Sequence, residues 1–327
     1  MKKLEVGIIG GAGYTAGELI RLLLNHPETN INFVFSTSNA GNKLYQVHQD
    51  LIGSTAISFA SQLNTEVDVL FLCLGHGNST AFLEKNRFSE NTRIIDLSND
   101  FRLLADKNFH GKKFVYGLPE LNKKSIITAR HIANPGCFAT ALQLAILPLA
   151  ANDLLHNDVH INAVTGATGA GTSLSETTHF TYRDNNFSHY KAFDHQHLGE
   201  IKQTVHQLQA NFNAEINFLP NRGNFSRGIF ATTYTKYEGS IEEASSLYKE
   251  YYKEAAFTFV SDEEIHLKQV VNTNKCLLHL VKHGNKLLIT STIDNLLKGA
   301  SGQAIQNLNL MYGLEETAGL SLKASYF

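Results

Sequence analysis

The first third of the chain alternates short apolar runs with segments of helical periodicity. Residues 15–25, which place three leucines on one helical face, and residues 78–86 predict helices. Apolar runs predict buried strands at residues 4–9, 31–35, 67–74 and 92–97. Continuous apolar strands are typical of a parallel sheet that is covered on both faces. Strand, helix and strand in this order predict a doubly wound, nucleotide-binding half of Rossmann type.

The pattern changes after Pro135. A very apolar run at residues 138–151 predicts a helix, which Pro148 should end or kink. A charged, amphipathic helix is predicted at residues 240–257, and a terminal helix at residues 299–312. Alternation of apolar and polar residues predicts half-exposed strands at residues 159–165, 229–237, 277–281 and 286–293.

Together these patterns predict an α/β fold with two domains. The first is a Rossmann-type dinucleotide-binding domain formed by residues 1–136 with residues 300–327. The second, residues 137–299, is an α+β catalytic and dimerisation domain with a mixed, largely antiparallel sheet. The length of 327 residues agrees with two domains.

Composition and charge narrow the possible functions. The net charge of −2 creates no field that attracts nucleic acid or an anionic membrane, and no 18-residue apolar stretch predicts a membrane span. Three cysteines, Cys73, Cys137 and Cys276, are too few for a disulfide framework and fit no zinc spacing. We therefore expect a cytoplasmic protein without a metal site that acts on a small molecule.

A glycine-rich turn follows the first predicted strand and opens the first helix. Gly11, Gly13 and Ala16 fit the pattern G-x-G-x-x-G/A, which lets the backbone approach a pyrophosphate at a helix N-terminus. The alternative is a strand-to-helix turn that binds no ligand. The residues predicted to contact the cofactor are Gly10, Gly11, Ala12, Gly13, Tyr14 and Thr15.

The end of the second predicted strand bears on the choice of cofactor. NAD sites usually carry a carboxylate about 20 residues after the glycine-rich turn. This chain has Ser36, Thr37, Ser38 and Asn39 there, with Lys43 nearby. Hydroxyl groups can donate to a 2′-phosphate, which a carboxylate would repel. The sequence therefore predicts NADP, with Ser36 and Ser38 as contacts.

Cys137 follows a Pro-Gly pair and begins the apolar helix. A thiol at a helix N-terminus lies in a positive local potential that favours the thiolate, which is the form that attacks an acyl carbon. Cys73 and Cys276 lie in or beside apolar strands, where an ordinary buried thiol is the simpler interpretation. For Cys137 both interpretations stay open at this point.

A pair of histidines precedes a predicted helix in residues 194–201. In an extended segment His195 and His197 point the same way, and Glu200 can orient one of them by a hydrogen bond. The pair is a candidate proton carrier for Cys137. The alternatives are a metal site, for which no third ligand is visible, and a solvated pair.

An anionic substrate needs cations or free N–H groups. Arg102 and Arg227 can each hold a phosphate or a carboxylate with two parallel hydrogen bonds, although such residues more often form surface ion pairs. The glycine-rich segment 165–173, which contains Gly169, can also donate backbone N–H groups to an anion.

Six segments spread over nearly the whole chain resemble the N-acetyl-gamma-glutamyl-phosphate reductase family of arginine biosynthesis. They are VGIIGGAGYTAGEL (6–19), DLSNDFR (96–102), VYGLPEL (115–121), ANPGCFATA (133–141), HQHLGEI (195–201) and DNLLKGASGQAIQNLNLMYG (294–313). PGCFAT and KGASGQAIQN are the most specific of these. Aspartate-semialdehyde and glyceraldehyde-3-phosphate dehydrogenases are related families that share the nucleophilic cysteine and the two-domain plan.

The resemblance implies an NADPH-dependent reduction of N-acetyl-L-glutamyl 5-phosphate to N-acetyl-L-glutamate 5-semialdehyde through a thioester on Cys137. It implies that His195 or His197 moves the protons, with His195 preferred, and that the chain forms a homo-oligomer, either a dimer or a tetramer. It also implies cofactor contacts from His76, Asn295, Gly299 and Gln303, and substrate contacts from Arg102, Asn134, Gly169 and Arg227.

Several positions depart from the family pattern and leave the acyl group of the substrate open. Gln196 and Gly199 stand where Arg and Pro are usual, and Asn221 stands where His is usual. The same chemistry on an N-succinyl-glutamyl phosphate is therefore one alternative. The others are an aspartate-semialdehyde-type dehydrogenase, against which the histidine segment argues, and a non-catalytic NADP-binding regulator, against which the retained Cys137 argues.

Overall fold

The computed structural model describes residues 2–327, which divide into two compact units. The first unit comprises residues 2–135 and 300–321, and the second comprises residues 136–299 and 322–327. The sequence placed residues 322–327 in the first unit, whereas the N–H of Ser325 donates to the carbonyl of Val271 in the second unit at 3.0 Å. A short tail joins the unit that supplies its backbone partners, and the hydrophobic pattern carries no information about that choice.

The first unit is built on a sheet that is parallel except at one edge. Its strands run in the order β2-β1-β3-β4-β7-β6-β5, and only β5 is antiparallel to its neighbour. The elements are β1 (Leu4–Ile9), α1 (Tyr14–Leu24), β2 (Thr29–Phe35), β3 (Val69–Leu72), α2 (Asn78–Lys85), β4 (Arg93–Asp96), β5 (Asn108–Phe109), β6 (Lys112–Tyr116), α3 (Pro119–Ile127) and β7 (His131–Ala133).

The strand order of this sheet reverses beside β1. The chain passes from β1 to β2 on one side and then crosses to β3 on the other. Ligands of open α/β sheets bind where the order reverses, at the carboxyl ends of the strands. The glycine-rich turn after β1 and the segment after β3 both lie at that end of the sheet.

The second unit contains a mixed sheet with the order β12-β13-β14-β11-β8-β10-β9. The pairs β8–β10 and β12–β13 are parallel and the other four pairs are antiparallel. The elements are α4 (Cys137–Ala150), β8 (Val159–Thr165), α5 (Phe180–Arg183), β9 (Ser188–His189), α6 (His197–Leu208), β10 (Ile216–Arg222), β11 (Ile229–Lys236), α7 (Ile241–Tyr251), β12 (Thr258–Ser261), β13 (Cys276–His283) and β14 (Lys286–Ile293). The predicted fold class is confirmed.

Helix α4 packs on one face of this sheet and is buried from Phe138 to its end. Pro148 does not end it, since the helix continues to Ala150. Proline has no N–H, so the carbonyl of Leu144 lacks its helical donor. The hydroxyl of Tyr252 supplies the missing hydrogen bond at 2.6 Å. A tertiary contact that the local sequence cannot reveal thus satisfies the carbonyl that proline leaves without a donor.

Two helices differ from their predicted bounds by more than one residue. Helix α7 begins after a capping box, in which the N–H of Glu243 donates to the Ser240 hydroxyl at 3.1 Å, and it ends at Tyr251 rather than at residue 257. The terminal helix α8 (Gly302–Tyr312) follows a π-helical turn, Leu297–Ser301, and belongs to the first unit. Among residues 2–327 no helix is long and apolar enough to cross a membrane.

Candidate active site

The glycine-rich turn of the first unit is shaped by backbone contacts. The N–H groups of Gly10 and Gly11 both donate to the carbonyl of Phe35, at 3.1 and 3.0 Å. Gly10 has φ +78°, and a Cβ there would meet the carbonyl oxygen of Cys73 at 2.5 Å, so glycine is required. Thr15 accepts a hydrogen bond from the Ser301 hydroxyl through its carbonyl, which joins the helix after the turn to the segment before α8.

The start of α1 is open. Gly13 is its N-cap and provides no side-chain cap, and a Cβ built on Gly13 would meet nothing within 4 Å. The next residue, Tyr14, is exposed. The first N–H groups of a helix without a cap can receive an anion. The predicted residues Gly10, Gly11, Ala12, Gly13, Tyr14 and Thr15 therefore form one continuous turn with room beside it.

The hydroxyl groups predicted as cofactor contacts lie close together at the end of β2. The Ser36 and Ser38 hydroxyls lie 3.4 Å apart, and the amide of Asn39 donates to both, at 3.2 and 3.0 Å. The Nζ of Lys43 donates to the carbonyl of Ala56 at 2.8 Å, so this cation is held by its own loop. His76, after β3, is exposed and accepts the N–H of Asn99 through Nδ1 at 3.2 Å.

Arg102 and Asn134 lie together in the first unit, where both are buried. The Nε of Arg102 donates to the carbonyl of Asn134 at 2.8 Å, and its Nη2 donates to the carbonyl of Leu97 at 3.0 Å. The side chain of Asn134 donates to the carbonyl of Ala300 and accepts from Asn307, each at 3.1 Å. These bonds fix the backbone of Asn134 near the end of the first unit's main segment.

Cys137 is the first residue of α4 and is half-buried. A Cβ built on Gly299 would lie 2.8 Å from the Cβ of Cys137, so the turn after β14 touches the cysteine and tolerates no side chain. Asp294 holds that turn. Its Oδ1 accepts the N–H groups of Leu296 and Leu297, and its carbonyl accepts the N–H of Gly299 at 2.9 Å. The predicted cofactor contact Gly299 is thus also a close neighbour of Cys137.

The histidine pair lies buried beside Cys137. The rings of His195 and His197 meet edge to face with centroids 4.7 Å apart. A Cβ on Gly136 would lie 2.2 Å from Nε2 of His197, so this ring rests on the residue before Cys137. The carboxylate of Glu200 accepts the N–H of Gly136 at 3.0 Å and lies 4.0 Å from Nε2 of His197.

The two histidines converge for a different reason from the one predicted. The segment is not extended, because Gln196 has helical angles and His197 is the first residue of α6. Nδ1 of His195 accepts the N–H of His197, the first residue of the helix, at 3.2 Å. This hydrogen bond and the edge-to-face ring contact bring the two rings together. In an extended strand the two side chains would instead have pointed in parallel from the same face.

The electrostatics of His195 follow from its surroundings. Burial, together with the nearby cations Lys191 and Arg222, lowers the pKa of His195 to about 4. The ring is therefore neutral near pH 7. Because Nδ1 accepts a backbone N–H, the single proton of the neutral ring is on Nε2.

Tyr190 and Arg222 complete the cluster, and the sequence analysis missed both. The Tyr190 ring lies 5.7 Å from the His195 ring, and the Cζ of Arg222 lies 4.7 Å from the centroid of Tyr190. Burial raises the pKa of Tyr190 to about 12, and the charge of Cys137 contributes in the same direction. Tyr190 lies in an irregular segment without periodicity. The signal that pointed toward Arg222 was the unusual residue next to it, Asn221.

Four other predicted residues are bonded to neighbouring groups of the chain or buried. Arg227 forms an ion pair with the buried Asp294, with Nη2 3.0 Å from Oδ2. Asn295 accepts the N–H of Gly228 at 2.6 Å and donates to the Thr168 hydroxyl at 3.1 Å. The N–H of Gly169 donates to the carbonyl of Gly166, so it is engaged in its own turn rather than open to an anion. Gln303 lies in α8 of the first unit and is fully buried.

Two family models match the chain. The NAD binding domain of semialdehyde dehydrogenases matches residues 5–129, and the semialdehyde dehydrogenase dimerisation domain matches residues 137–295. The parallel sheet with its glycine-rich turn and the cysteine with its histidine pair fall within these two matches. The chain thus has the two domains that define the semialdehyde dehydrogenase class.

Curated relatives narrow the class to one family. The N-acetyl-gamma-glutamyl-phosphate reductase of Christiangramia forsetii is 69% identical over 324 residues, which cover 99% of this chain and 100% of the relative. The enzyme of the same name from Flavobacterium johnsoniae is 61% identical with the same coverage. The chain belongs to the N-acetyl-gamma-glutamyl-phosphate reductase family.

Solved structures share the fold at much lower identity. Aspartate semialdehyde dehydrogenase II of Vibrio cholerae, complexed with ASA, is 14% identical with a TM-score of 0.72, and the likeness covers 96% of this chain and 99% of that chain. The aspartate semialdehyde dehydrogenase of Candida albicans with NADP has the same identity and TM-score, and covers 95% and 99%. At this identity the likeness is one of fold alone.

Proposed function

We propose that the protein reduces N-acetyl-L-glutamyl 5-phosphate to N-acetyl-L-glutamate 5-semialdehyde, with NADPH as reductant and Cys137 as nucleophile. The cluster of Cys137, His195 and His197 at the amino end of α4 carries the proposal. The names of the relatives that are 69% and 61% identical supply the substrate. An aspartate-semialdehyde activity has weaker support, because proteins of that name resemble the chain at only 14% identity.

Cys137 performs the covalent chemistry. Its thiolate attacks the acyl carbon, the S–C bond forms, and the C–O bond to phosphate breaks as phosphate leaves. The position of Cys137 as first residue of α4, whose N-cap Gly136 offers no side chain, supports the thiolate form. A bound NADPH supplies the hydride that a thioester needs to reach the aldehyde level. Cys137 then departs as the thiolate and the semialdehyde is released.

We assign different proton tasks to the two histidines. Neutral His195, with its proton on Nε2, donates a hydrogen bond to the substrate oxygen on which negative charge develops. His197 accepts the proton of Cys137, because the nearby Glu200 carboxylate stabilises the imidazolium that forms. This assignment reverses the earlier preference for His195 as the proton acceptor.

The first unit fits a dinucleotide at the reversal of its strand order. Space beside Gly13 and the uncapped start of α1 suit the pyrophosphate. The Ser36 and Ser38 hydroxyls at the end of β2, without a carboxylate among them, suit a 2′-phosphate and favour NADP over NAD. Titration with both dinucleotides tests this choice, and tighter binding of NAD would refute it.

We also infer that the chain forms a homo-oligomer through its second unit. The family model for this unit is a dimerisation domain. The sheet face opposite α4 leaves apolar surface exposed, including Tyr234 at 42% and Val281 at 44%. Such a face is typical of a subunit interface. A reactive thiol at Cys137 needs a reducing compartment, which supports a cytoplasmic location.

A phosphate-dependent assay of NADP reduction tests the function in the reverse direction. N-acetyl-L-glutamate 5-semialdehyde, phosphate and NADP should together give NADPH, and omission of phosphate should stop turnover. Mass spectrometry of the protein quenched without phosphate should find the acyl group on Cys137. Faster turnover of aspartate semialdehyde than of the glutamate compound would overturn the proposal.

A further inference from the structure

Arg222 holds a fixed position at the end of β10. It pairs with Thr165 of β8 on one side and with Ser188 of β9 on the other. Its carbonyl accepts a hydrogen bond from Nη1 of Arg183 at 2.8 Å. The backbone from which this side chain extends is therefore held by both neighbouring strands.

The guanidinium of Arg222 carries a charge that the protein does not neutralise. It lies over the Tyr190 ring, with Cζ 4.7 Å from the centroid. Its Nε is buried and donates to no group among residues 2–327, and within the same residues Arg222 forms no ion pair. Arg227, by contrast, is paired with Asp294. Arginines whose N–H groups are buried usually have an anionic partner, so Arg222 has the character of a ligand-binding residue.

This charge lies next to the reacting centre. Tyr190, which Arg222 covers, contacts the His195 ring and is affected by the charge of Cys137. Arg222 forms a side-chain hydrogen bond with Tyr190, and together with Lys191 it lowers the pKa of His195. The environment on this side of Cys137 is therefore positive, and it suits an anionic group of the molecule that Cys137 attacks.

We propose that Arg222 binds a carboxylate of the substrate and so determines specificity beside Cys137. The inference rests on the proposed function, which brings an N-acyl-glutamyl phosphate to this cluster. The planar guanidinium matches a carboxylate with two parallel hydrogen bonds. That carboxylate has two possible sources: the α-carboxylate of the glutamyl group, or a carboxylate at the end of the N-acyl group, as in an N-succinyl substrate.

Kinetics in the reverse direction separate these sources. The full-length enzyme and its Arg222→Leu and Arg222→Lys variants are assayed with NADP, phosphate and either N-acetyl- or N-succinyl-glutamate 5-semialdehyde. Arg222→Leu should raise KM for the semialdehyde about 10- to 100-fold, because a hydrogen bond to a charged group is lost. Arg222→Lys keeps the positive charge and should raise KM less. Lys202→Met, which removes an exposed cation of the same unit, is the control and should leave KM unchanged.

The pattern of the KM changes decides the source. An equal rise for both semialdehydes identifies the α-carboxylate, and a rise only for the succinyl compound identifies the acyl end. A rise in KM for phosphate alone, or no change in any KM, overturns the proposal. A fall in kcat and thermal stability at constant KM would mean that Arg222 only supports Tyr190, and this outcome also overturns it.

A binding measurement keeps this test separate from the test of function. Alkylation of Cys137 by iodoacetamide is followed in the presence of NADP and either N-acetyl-L-glutamate or N-succinyl-L-glutamate. N-succinyl-L-glutamate, which carries both candidate carboxylates, should protect Cys137 in the wild-type enzyme and protect it at least about tenfold less well in Arg222→Leu, and N-acetyl-L-glutamate should do the same if the α-carboxylate is the group bound. Equal protection of both proteins, or no protection of the wild type, refutes a carboxylate site at Arg222 even if the enzyme turns over neither semialdehyde.

Discussion

Cys73 and Cys137 lie in different chemical surroundings although both keep some accessible surface. Cys73 follows β3 at the carboxyl end of the first sheet, and burial together with the Asp96 carboxylate raises its pKa far above the ordinary value. Cys137 begins α4, with the histidine pair beside it. The partial exposure of the two residues is similar, but the surroundings of their sulfur atoms differ. Burial and a carboxylate oppose a thiolate at Cys73, whereas a helix N-terminus favours a thiolate at Cys137.

The largest effect on kcat should come from replacing each of the two cysteines in turn. Cys137→Ser should lower kcat at least about 10³-fold, since a hydroxyl is not ionised at neutral pH and cannot replace the thiolate. Cys73→Ala should keep kcat within a factor of about three. The phosphate-dependent NADP assay measures both variants. If kcat fell by similar factors in the two variants, the different surroundings of Cys73 and Cys137 would not correspond to different roles in turnover.

The histidine pair sharpens the comparison at Cys137. His197→Asn should lower kcat about 10²- to 10⁴-fold and should also slow alkylation of Cys137, because it removes the proton acceptor. His195→Asn should lower kcat by a similar factor while alkylation of Cys137 stays fast. Rates of iodoacetamide labelling across pH 6 to 9 separate the two effects. The opposite pattern would return the role of proton acceptor to His195.

Two glycines test the two units with the same substitution. Gly136→Ala puts a Cβ 2.2 Å from Nε2 of His197 and should lower kcat about 10- to 100-fold by displacing that ring. Gly13→Ala meets no atom of the protein within 4 Å, so it should leave alkylation of Cys137 unchanged and raise KM for NADP. If Gly13→Ala binds NADP normally, the open space at the start of α1 is not the dinucleotide site.

The sequence predicted the parts of this site that depend on local chain pattern. The turn after β1 and the cysteine that begins α4 each follow from the order of residues around them. The partners of these groups could not be predicted in the same way. Gly299, at the other end of the second unit's sequence, contacts Cys137. The Tyr252 hydroxyl donates a hydrogen bond to the carbonyl that Pro148 leaves without a donor. Such contacts join segments more than 100 residues apart and leave no periodicity.

Arg222 and Arg227 show that contacts between distant segments, which the sequence does not reveal, also decide which residue is available to bind a ligand. Arg227 was expected to hold an anion, yet Asp294 already occupies it, and Arg222 was not considered although no carboxylate of residues 2–327 pairs with it. Residue type alone makes either arginine a possible anion ligand. Only the positions of the carboxylates in the folded chain distinguish the neutralised arginine from the available one, and Asp294 lies 67 residues from its partner.

The smallest expected effect concerns two neutral histidines, one in each unit. Burial lowers the pKa of both His131 and His195 to about 4, so each binds a proton more readily in the unfolded chain. Between pH 6.5 and 4 the unfolded state therefore takes up more protons, and these groups contribute stability at neutral pH that is lost as the pH falls through that range.

His131 packs beside Phe114 and takes no part in the proposed chemistry. His131→Phe should consequently reduce the loss of unfolding free energy between pH 7 and pH 5 by about 1–2 kcal/mol, as measured by denaturant unfolding at both pH values, while kcat at pH 7 stays unchanged. The matched change His195→Phe should flatten the same curve and abolish most of the turnover. If His131→Phe left the pH dependence of unfolding as steep as in the wild type, burial of His131 would not be the cause of that dependence.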